Sequence, residues 1–534
     1  MIKSIKNILN KQKNKLYSLV YFAFVLFIVL PLVYTFGSAF FGENSLSENI
    51  LLIDQKMLWL LAKSCFIAFS IAILSTLFGT ILAVLLYKTK LRFQTFLKIT
   101  LLIPLFISPY ILAVAWSDIF FTFFNNSNLI SSYFAVILVL TTVYTPLSML
   151  IIGSSLSNID AQLEESALMI TNFSSVLFKI ILPLIKPALI SSFVLVFIFS
   201  ISEFSVPAFF NVKVFTTEIF IQFSAFYNHS LAILQSTFLI FICVFLLYLD
   251  QKSILDTSFL SVSNKGTITK LYSIRKYSFL AYLFLIIWFF LNLIFPFIIL
   301  IIQSFKNGSN SFAKALELLL PTFSTSILLA LSSALIIVFI GFVVAHQSFL
   351  QKGSSRSFDW ILLLVFAIPS SIFGISLIQF YNHTALNFIY SSYAILLIAY
   401  VGKFSFISSR LISNALKQIP NSLDELAQTQ GIKLSSRVFK IIIPLIFPAL
   451  FAAFVISFIF SFGELGTSIM LYPPGAEILP IKVFTIMANA SQSLTSSMSL
   501  IVFSITLLLI IVLYLIMNIF RKSFSVQNRN FDHD

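Results

Sequence analysis

The sequence predicts an all-α membrane protein: twelve transmembrane helices arranged as two parallel six-helix halves. Three observations predict it. Hydrophobic residues make up 59% of the 534-residue chain, with a mean hydropathy of +1.02, well above the roughly 45–50% apolar fraction of soluble domains. Apolar runs of the length a bilayer needs, about 20 residues, recur twelve times. A polar island in this apolar chain occurs twice, 260 residues apart.

The elements follow in order. Lys3, Lys6, Lys11, Lys13 and Lys15 precede a first apolar run at 17–40. That run exceeds the roughly 7–15 residues of a signal-peptide core, so it reads as a first span or uncleaved anchor. Residues 1–57 therefore comprise a basic segment, one span and an outer loop. Runs near 58–87, 99–121, 132–153, 187–210 and 231–249 fill a first membrane domain, 58–250. Residues 251–276, rich in Ser, Thr and Lys, read as a solvated linker. A seventh span at 277–303 and its outer loop occupy 277–321. Runs near 322–346, 358–380, 391–409, 448–471 and 498–520 make the second domain, 322–520, before a tail at 521–534.

Charge distribution sets the topology. The net charge is +14, yet 26 of the 33 Lys and Arg residues fall in the segments that share one side with the N-terminus. Such a bias marks the cytoplasmic side and places both termini and both islands there. The basic residues are therefore topology determinants and give no case for a nucleic-acid partner. Cys65 and Cys243 lie within apolar runs, and four histidines are dispersed, so neither a disulfide framework nor a metal cluster is expected.

The repeat extends beyond the islands. Ser131-Ser-Tyr133 recurs as Ser391-Ser-Tyr393, and Phe199-Ser-x-x-Glu203 as Phe460-Ser-x-x-Glu464. An even number of spans separates equivalent segments, so the halves share one orientation about a pseudo-twofold along the membrane normal. The substrate route is then expected between them.

The islands span 163–189 and 423–450, and the first is one residue shorter. In the second, Ser422 and Glu425 have capping-box spacing, and Leu423, Leu426 and Ala427 share a face. Gly431 can close that helix in the left-handed region. Ser435 or Ser436 is the expected cap of the next apolar run, and Pro444 and Pro448 the expected bend into the membrane. Asn172 takes the turn position in the first copy, as a residue that tolerates the left-handed region.

Glu425-x-Ala427-x3-Gly431-x9-Ile441-x-Ile443-Pro444 resembles the cytoplasmic signature of permeases in binding-protein-dependent ABC importers. The first copy keeps Glu165, Ala167 and Pro183 but has no glycine. The resemblance implies the type I importer permease fold, with both loops forming coupling helices seated in a cytoplasmic ATPase homodimer. It also implies a periplasmic or lipid-anchored solute-binding protein and a bacterial inner-membrane location. Glu165, Ala167, Pro183, Glu425, Ala427, Gly431 and Pro444 would be the coupling residues. Outer-loop sequences after Glu203 and Glu464 resemble the ferric-iron branch, with thiamine and aminoethylphosphonate permeases sharing much of the pattern.

Ionisable residues inside spans are costly and are functional candidates by default. Glu203 and Glu464 stand at equivalent places in the fifth spans, with Lys403 in a fourth span and Asp118 in a third. A pairing of Lys403 with Glu464 is one expectation, and Pro104, Pro109 and Pro369 are expected kinks. Hard oxygen ligands such as these carboxylates suit ferric iron. No Gly-x4-Gly-Lys-Ser/Thr phosphate loop occurs, so ATP is expected on a partner subunit and no cofactor on this chain. No nucleophile–base constellation argues for an enzyme. The rival reading is a twelve-span secondary transporter driven by an ion gradient, in which Glu203, Glu464 and Lys403 would handle the coupling ion.

Overall fold

A computed structural model describes residues 17–41, 54–124, 131–249, 271–273, 278–306, 308–350 and 357–530. The N-terminal lysines and most of the linker lie outside the described residues. Among the described residues there are nine helices long and apolar enough to cross a membrane, or up to twelve when each of three bent pairs is taken as one span. In the first half the spans are Tyr17–Ser38, Gln55–Lys88, Gln94–Phe106 with Pro109–Phe123, Tyr133–Ser157, Phe173–Leu184 with Lys186–Ser202, and His229–Leu249. In the second they are Ser278–Phe305, Asn310–Leu350, Phe358–Ala367 with Ser370–Tyr381, Ala394–Leu416, Leu434–Gly463 and Gln492–Ile516. Each corresponds to one expected apolar run.

Proline explains where the spans break. The third spans turn by 92° before Pro109 and by 105° at Pro369. A residue preceding proline is pushed out of the helical region, and the ring admits no hydrogen bond from its own nitrogen. The kinks expected at Pro109 and Pro369 are thus near-right-angle breaks, whereas Pro104 lies in the first turn of the short helix Ile103–Phe106.

Four other prolines act differently. π-helical turns occupy Val25–Val29, Leu177–Ile181, Phe290–Ile294 and Val438–Ile442. Each ends two residues before a proline: Pro31, Pro183, Pro296 and Pro444. Widening the preceding turn moves away the carbonyl that the proline ring would strike in an α-helix. Pro444 therefore does not bend its span, and Pro448 lies inside the continuous helix Ile443–Gly463. Only the first copy bends, by 63° at Ile185 before Pro187.

The repeat is visible in matched contacts. Ser64 Oγ accepts from the Phe215 N–H at 2.8 Å, and Ser326 Oγ from the Leu479 N–H at 2.8 Å. A Cβ on Gly79 would sit 2.4 Å from Ser148 Cβ, and one on Gly341 2.4 Å from Ser408 Oγ. Both glycines let the second and fourth spans of their half touch backbone to backbone.

The opening span of each half, however, also reaches across to the other half, the seventh while packing Phe297 on Phe503 of the twelfth span at 5.1 Å. Tyr17 Oη lies 2.9 Å from His346 Nδ1, Tyr21 stacks on Phe358 at 3.9 Å, and Tyr381 donates to the Phe27 carbonyl at 2.9 Å. The seventh span packs Trp288 on Phe78 at 4.7 Å, and Gln303 donates to Thr122 at 2.7 Å. Apolar patterning specifies that a segment spans the bilayer; it does not say which neighbours the span takes.

Candidate functional site

A cavity of about 210 Å³ lies between the halves, lined by the third, fourth and fifth spans of both. Glu203 and Glu464 line it together with Lys403, Tyr144 and Arg410. Each glutamate stands where its fifth-span helix ends, earlier than the apolar run predicts. Glu203 has φ −72°, ψ 127° after Ser202, and Glu464 φ −71°, ψ 117° after Gly463. Each carboxylate then reaches forward to the next short helix. Glu203 accepts from the Ser205 N–H at 2.9 Å and from the Ser205 hydroxyl. Glu464 accepts from the Thr467 N–H at 3.0 Å and the Thr467 hydroxyl at 2.7 Å. Charge-assisted bonds to freed backbone donors hold both carboxylates at the helix break.

The remaining partners differ. Lys403 donates to Glu464 at 3.2 Å, the pairing expected from sequence. Tyr144 donates to Glu203 at 3.3 Å. In the repeat, Val143 stands where the second half has Lys403, and Phe404 stands where the first half has Tyr144. Arg410, also in the cavity lining, lies 3.7 Å from Asp359. Asp118 does not face this group: it accepts from Gln492 at 2.7 Å and Ser496 at 2.6 Å, joining a third span to the twelfth.

The two islands each form a short helix followed by a turn. In the second, Asn421–Thr429 is closed by Gly431 at φ +74°. The Ile432 N–H reaches the Ala427 carbonyl at 3.1 Å and the Gly431 N–H reaches Gln428 at 3.1 Å, a Schellman closure. The expected capping box is absent: Pro420 takes the N-cap, so Ser422 lies inside the first turn. Lys433 likewise takes the cap position expected of Ser435 or Ser436. In the first island, Asp160 caps Ala161–Leu168 by accepting from the Gln162 N–H at 3.0 Å. Asn172 is extended, at φ −82°, and caps Phe173–Val176 through the Ser175 N–H at 3.1 Å. The shorter island thus closes by a side-chain cap where the longer one uses a left-handed glycine.

Glu165 and Glu425 are exposed, as are Pro183 and Pro444, whereas Ala427 is buried and Ala167 half-buried. Ala427 separates from its expected companions, for Leu423 and Leu426 face outward. Met169 and Ile170, at the tip of the first island, are each 89% exposed.

Sequence reasoning missed the residue next to Glu165. Glu164 is buried with Lys88, to which it is ion-paired, and accepts from the Tyr272 hydroxyl at 2.5 Å. The helical period carried the signal, since Ala161, Glu164 and Leu168 fall on one face. Tyr272, from the linker, also pairs as a backbone bridge with Thr89. The described part of the linker is therefore docked, not a solvated connector. Burial and the Glu164 hydrogen bond push the Tyr272 phenol far above its usual range.

Residues 337–526 match the family model for the inner membrane component of binding-protein-dependent transport systems. The chain is 25% identical over 415 residues to the Fe(3+)-transport system permease protein FbpB 2 of Haemophilus influenzae, covering 76% of this chain and 79% of that protein. It is 25% identical over 459 residues to the ferric transport system permease protein FbpB of Actinobacillus pleuropneumoniae, covering 78% of this chain and 66% of the relative. A putative 2-aminoethylphosphonate transport system permease protein, PhnV of Salmonella typhi, is 23% identical over 163 residues, 30% of this chain and 62% of that protein. Permeases of this family are transport components whose ATPase is a separate subunit and whose cargo arrives on a solute-binding protein. The chain is thus similar to inner-membrane transport permeases over residues 337–526 in the family model and over about three quarters of its length in the ferric relatives.

Proposed function

We propose that this permease imports ferric iron, with its two islands seated in a cytoplasmic ATPase homodimer. The observation that carries the coupling role is the pair of matched loops, each a short helix with apolar side chains facing outward: Met169 and Ile170 in one, Leu423 and Leu426 in the other. Apolar side chains bared on a polar loop favour a protein partner. Two equivalent loops suit two equal partners. Glu165, Ala167, Pro183, Glu425, Ala427, Gly431 and Pro444 shape or line these handles. The lysine and arginine bias supports a cytoplasmic position for both loops and both termini.

In this reading ATP binding draws the two ATPase subunits together, the loops follow, and the two halves rock between inward- and outward-facing states. A periplasmic or lipid-anchored binding protein delivers the cargo. The opening spans, each with contacts on both halves, keep the halves together while they move.

Cargo follows from the cavity and the relatives. The ferric relatives name the ion, and oxygen donors suit it: the Glu203 and Glu464 carboxylates and the Tyr144 hydroxyl. Lys403 neutralises one carboxylate and leaves Glu203 with hydroxyl and amide donors, which favours a passing cation. Among the described residues no group of three or more His, Cys, Asp or Glu could hold a metal. Such sparse ligation suits an ion that must leave again.

Reconstitution of the permease with its ATPase and binding protein tests this. Uptake of radiolabelled iron that needs ATP and survives an ionophore is the expected result. Uptake without the ATPase that collapses with an ionophore would support the ion-gradient rival.

A further inference from the structure

The first of the two islands is tied to its own membrane helix through a buried charge. Lys88 is the last residue of the second span, and its ammonium is paired with Glu164 on the island's short helix, both side chains 0% exposed. Glu164 spends its other oxygen on the Tyr272 hydroxyl at 2.5 Å. Tyr272 is itself locked by backbone: its N–H donates to the Lys88 carbonyl at 2.8 Å, and its carbonyl accepts from the Lys90 N–H at 2.9 Å. Its ring lies 4.3 Å from Phe173, on the far side of the island's turn. The following residues continue the grip, for Tyr282 Oη accepts from the Arg92 N–H at 2.6 Å. Linker, span end and island thus form one knot.

The second half does not repeat the lysine. Matched on Ser64 with Ser326 and Gly79 with Gly341, the place of Lys88 is taken by Leu350, which carries no charge.

We propose that Lys88, Glu164 and Tyr272 are a positioning latch by which the linker between the halves fixes the first coupling loop rigidly to the second span, so that this loop transmits ATPase motion as one body with its half. The proposal rests on the coupling role of the islands. An ion pair buried from water resists separation, because parting the charges leaves each desolvated and unpaired. The phenol adds a donor that stays protonated across the physiological range, since burial and Glu164 both hold its proton. Loop and span must then move together or the whole knot must open. The second loop is closed by Gly431 and has no lysine at the place that matches Lys88.

Spin labels at Gln162 on the island and Lys90 at the span end, both exposed, read the latch in the complete importer without reference to cargo. Pulsed dipolar spectroscopy should give one narrow distance in the wild type, unchanged when an ATP analogue is bound. Tyr272→Phe and Glu164→Gln should broaden it and lower uptake per ATP by about tenfold, within the usual span of coupling energies. The charge swap Lys88→Glu with Glu164→Lys should restore both where either single change does not, which separates the latch from a general folding defect. A broad wild-type distribution, or variants that leave distance and coupling ratio unchanged, would overturn the latch. ATPase co-purification, followed in parallel, reports on the coupling reading itself: its retention with a broadened distance supports the latch, and its absence in the wild type would instead sink the docking role.

Discussion

Lys403 donates to Glu464 across 3.2 Å inside the central cavity, whereas Val143 occupies the matching place in the first half. A duplicated frame has thus been given one ammonium for two carboxyl groups. The difference makes the two glutamates separable by experiment.

Lys403→Met leaves the Glu464 carboxylate without its cation, a loss that approaches about 3–5 kcal/mol for fully buried pairs. Both side chains retain some exposure, 12% and 14%, so the effect should fall below that range. Abundance in the membrane should drop. Adding Glu464→Gln to Lys403→Met should restore abundance but not uptake, as judged by immunoblot against iron accumulation. Recovery of both would make the pair a packing device.

Glu203→Gln keeps shape and an acceptor for the Ser205 N–H while removing charge. Abundance should stay near wild type and uptake fall roughly tenfold or more. Tyr144→Phe, which removes one hydrogen bond, should do less. Parallel loss of abundance and uptake in Glu203→Gln would identify a structural carboxylate.

Gly431 sits at φ +74° with open space around it, so Gly431→Ala meets no clash and isolates the backbone term. A left-handed L-residue costs about 1–2 kcal/mol, and the second loop should fray and hold the ATPase less well. Asn172→Ala, which removes a cap worth about 1 kcal/mol, should weaken the first loop comparably. Proteolysis of the two loops in intact vesicles reads both.

These loops show how far the sequence reaches. Glycine at a turn carries its own conformational reason, so Gly431 was legible. Asn172 was legible as a turn residue but not as a cap, because asparagine serves both and the choice depends on loop length. The spans were legible because hydrocarbon thickness fixes their length. The contacts that the first and seventh spans make across to the opposite halves were not, since a helix apolar all round encodes no partner. Glu203 and Glu464 stood out by charge. Their positions at helix ends did not, because Phe204 and Leu465 continue the apolar run past the break. Glu164 was hidden by its neighbour Glu165, and Tyr272 by a linker whose composition reads as solvated.

Gly341→Ala should destabilise the second half. Its Cβ would meet Ser408 Oγ at 2.4 Å and the Ser409 nitrogen at 2.9 Å, and a backbone atom cannot rotate away. Overpacking of this kind costs about 1–3 kcal/mol. Gly37→Ala, with nothing within 4 Å, should be neutral or slightly stabilising. Thermal unfolding in detergent ranks the two, and equal midpoints would contradict the close helix contact.

The central claim is that the two outward-facing loops are the handles of the ATPase. Ile170→Glu with Leu426→Glu places a charge on each exposed side chain without touching the buried faces. Co-purification of the ATPase with this variant, measured at matched abundance, is the most direct test. Loss of the ATPase and of ATP-dependent uptake from a normally inserted permease is the predicted result; full retention of both would contradict it.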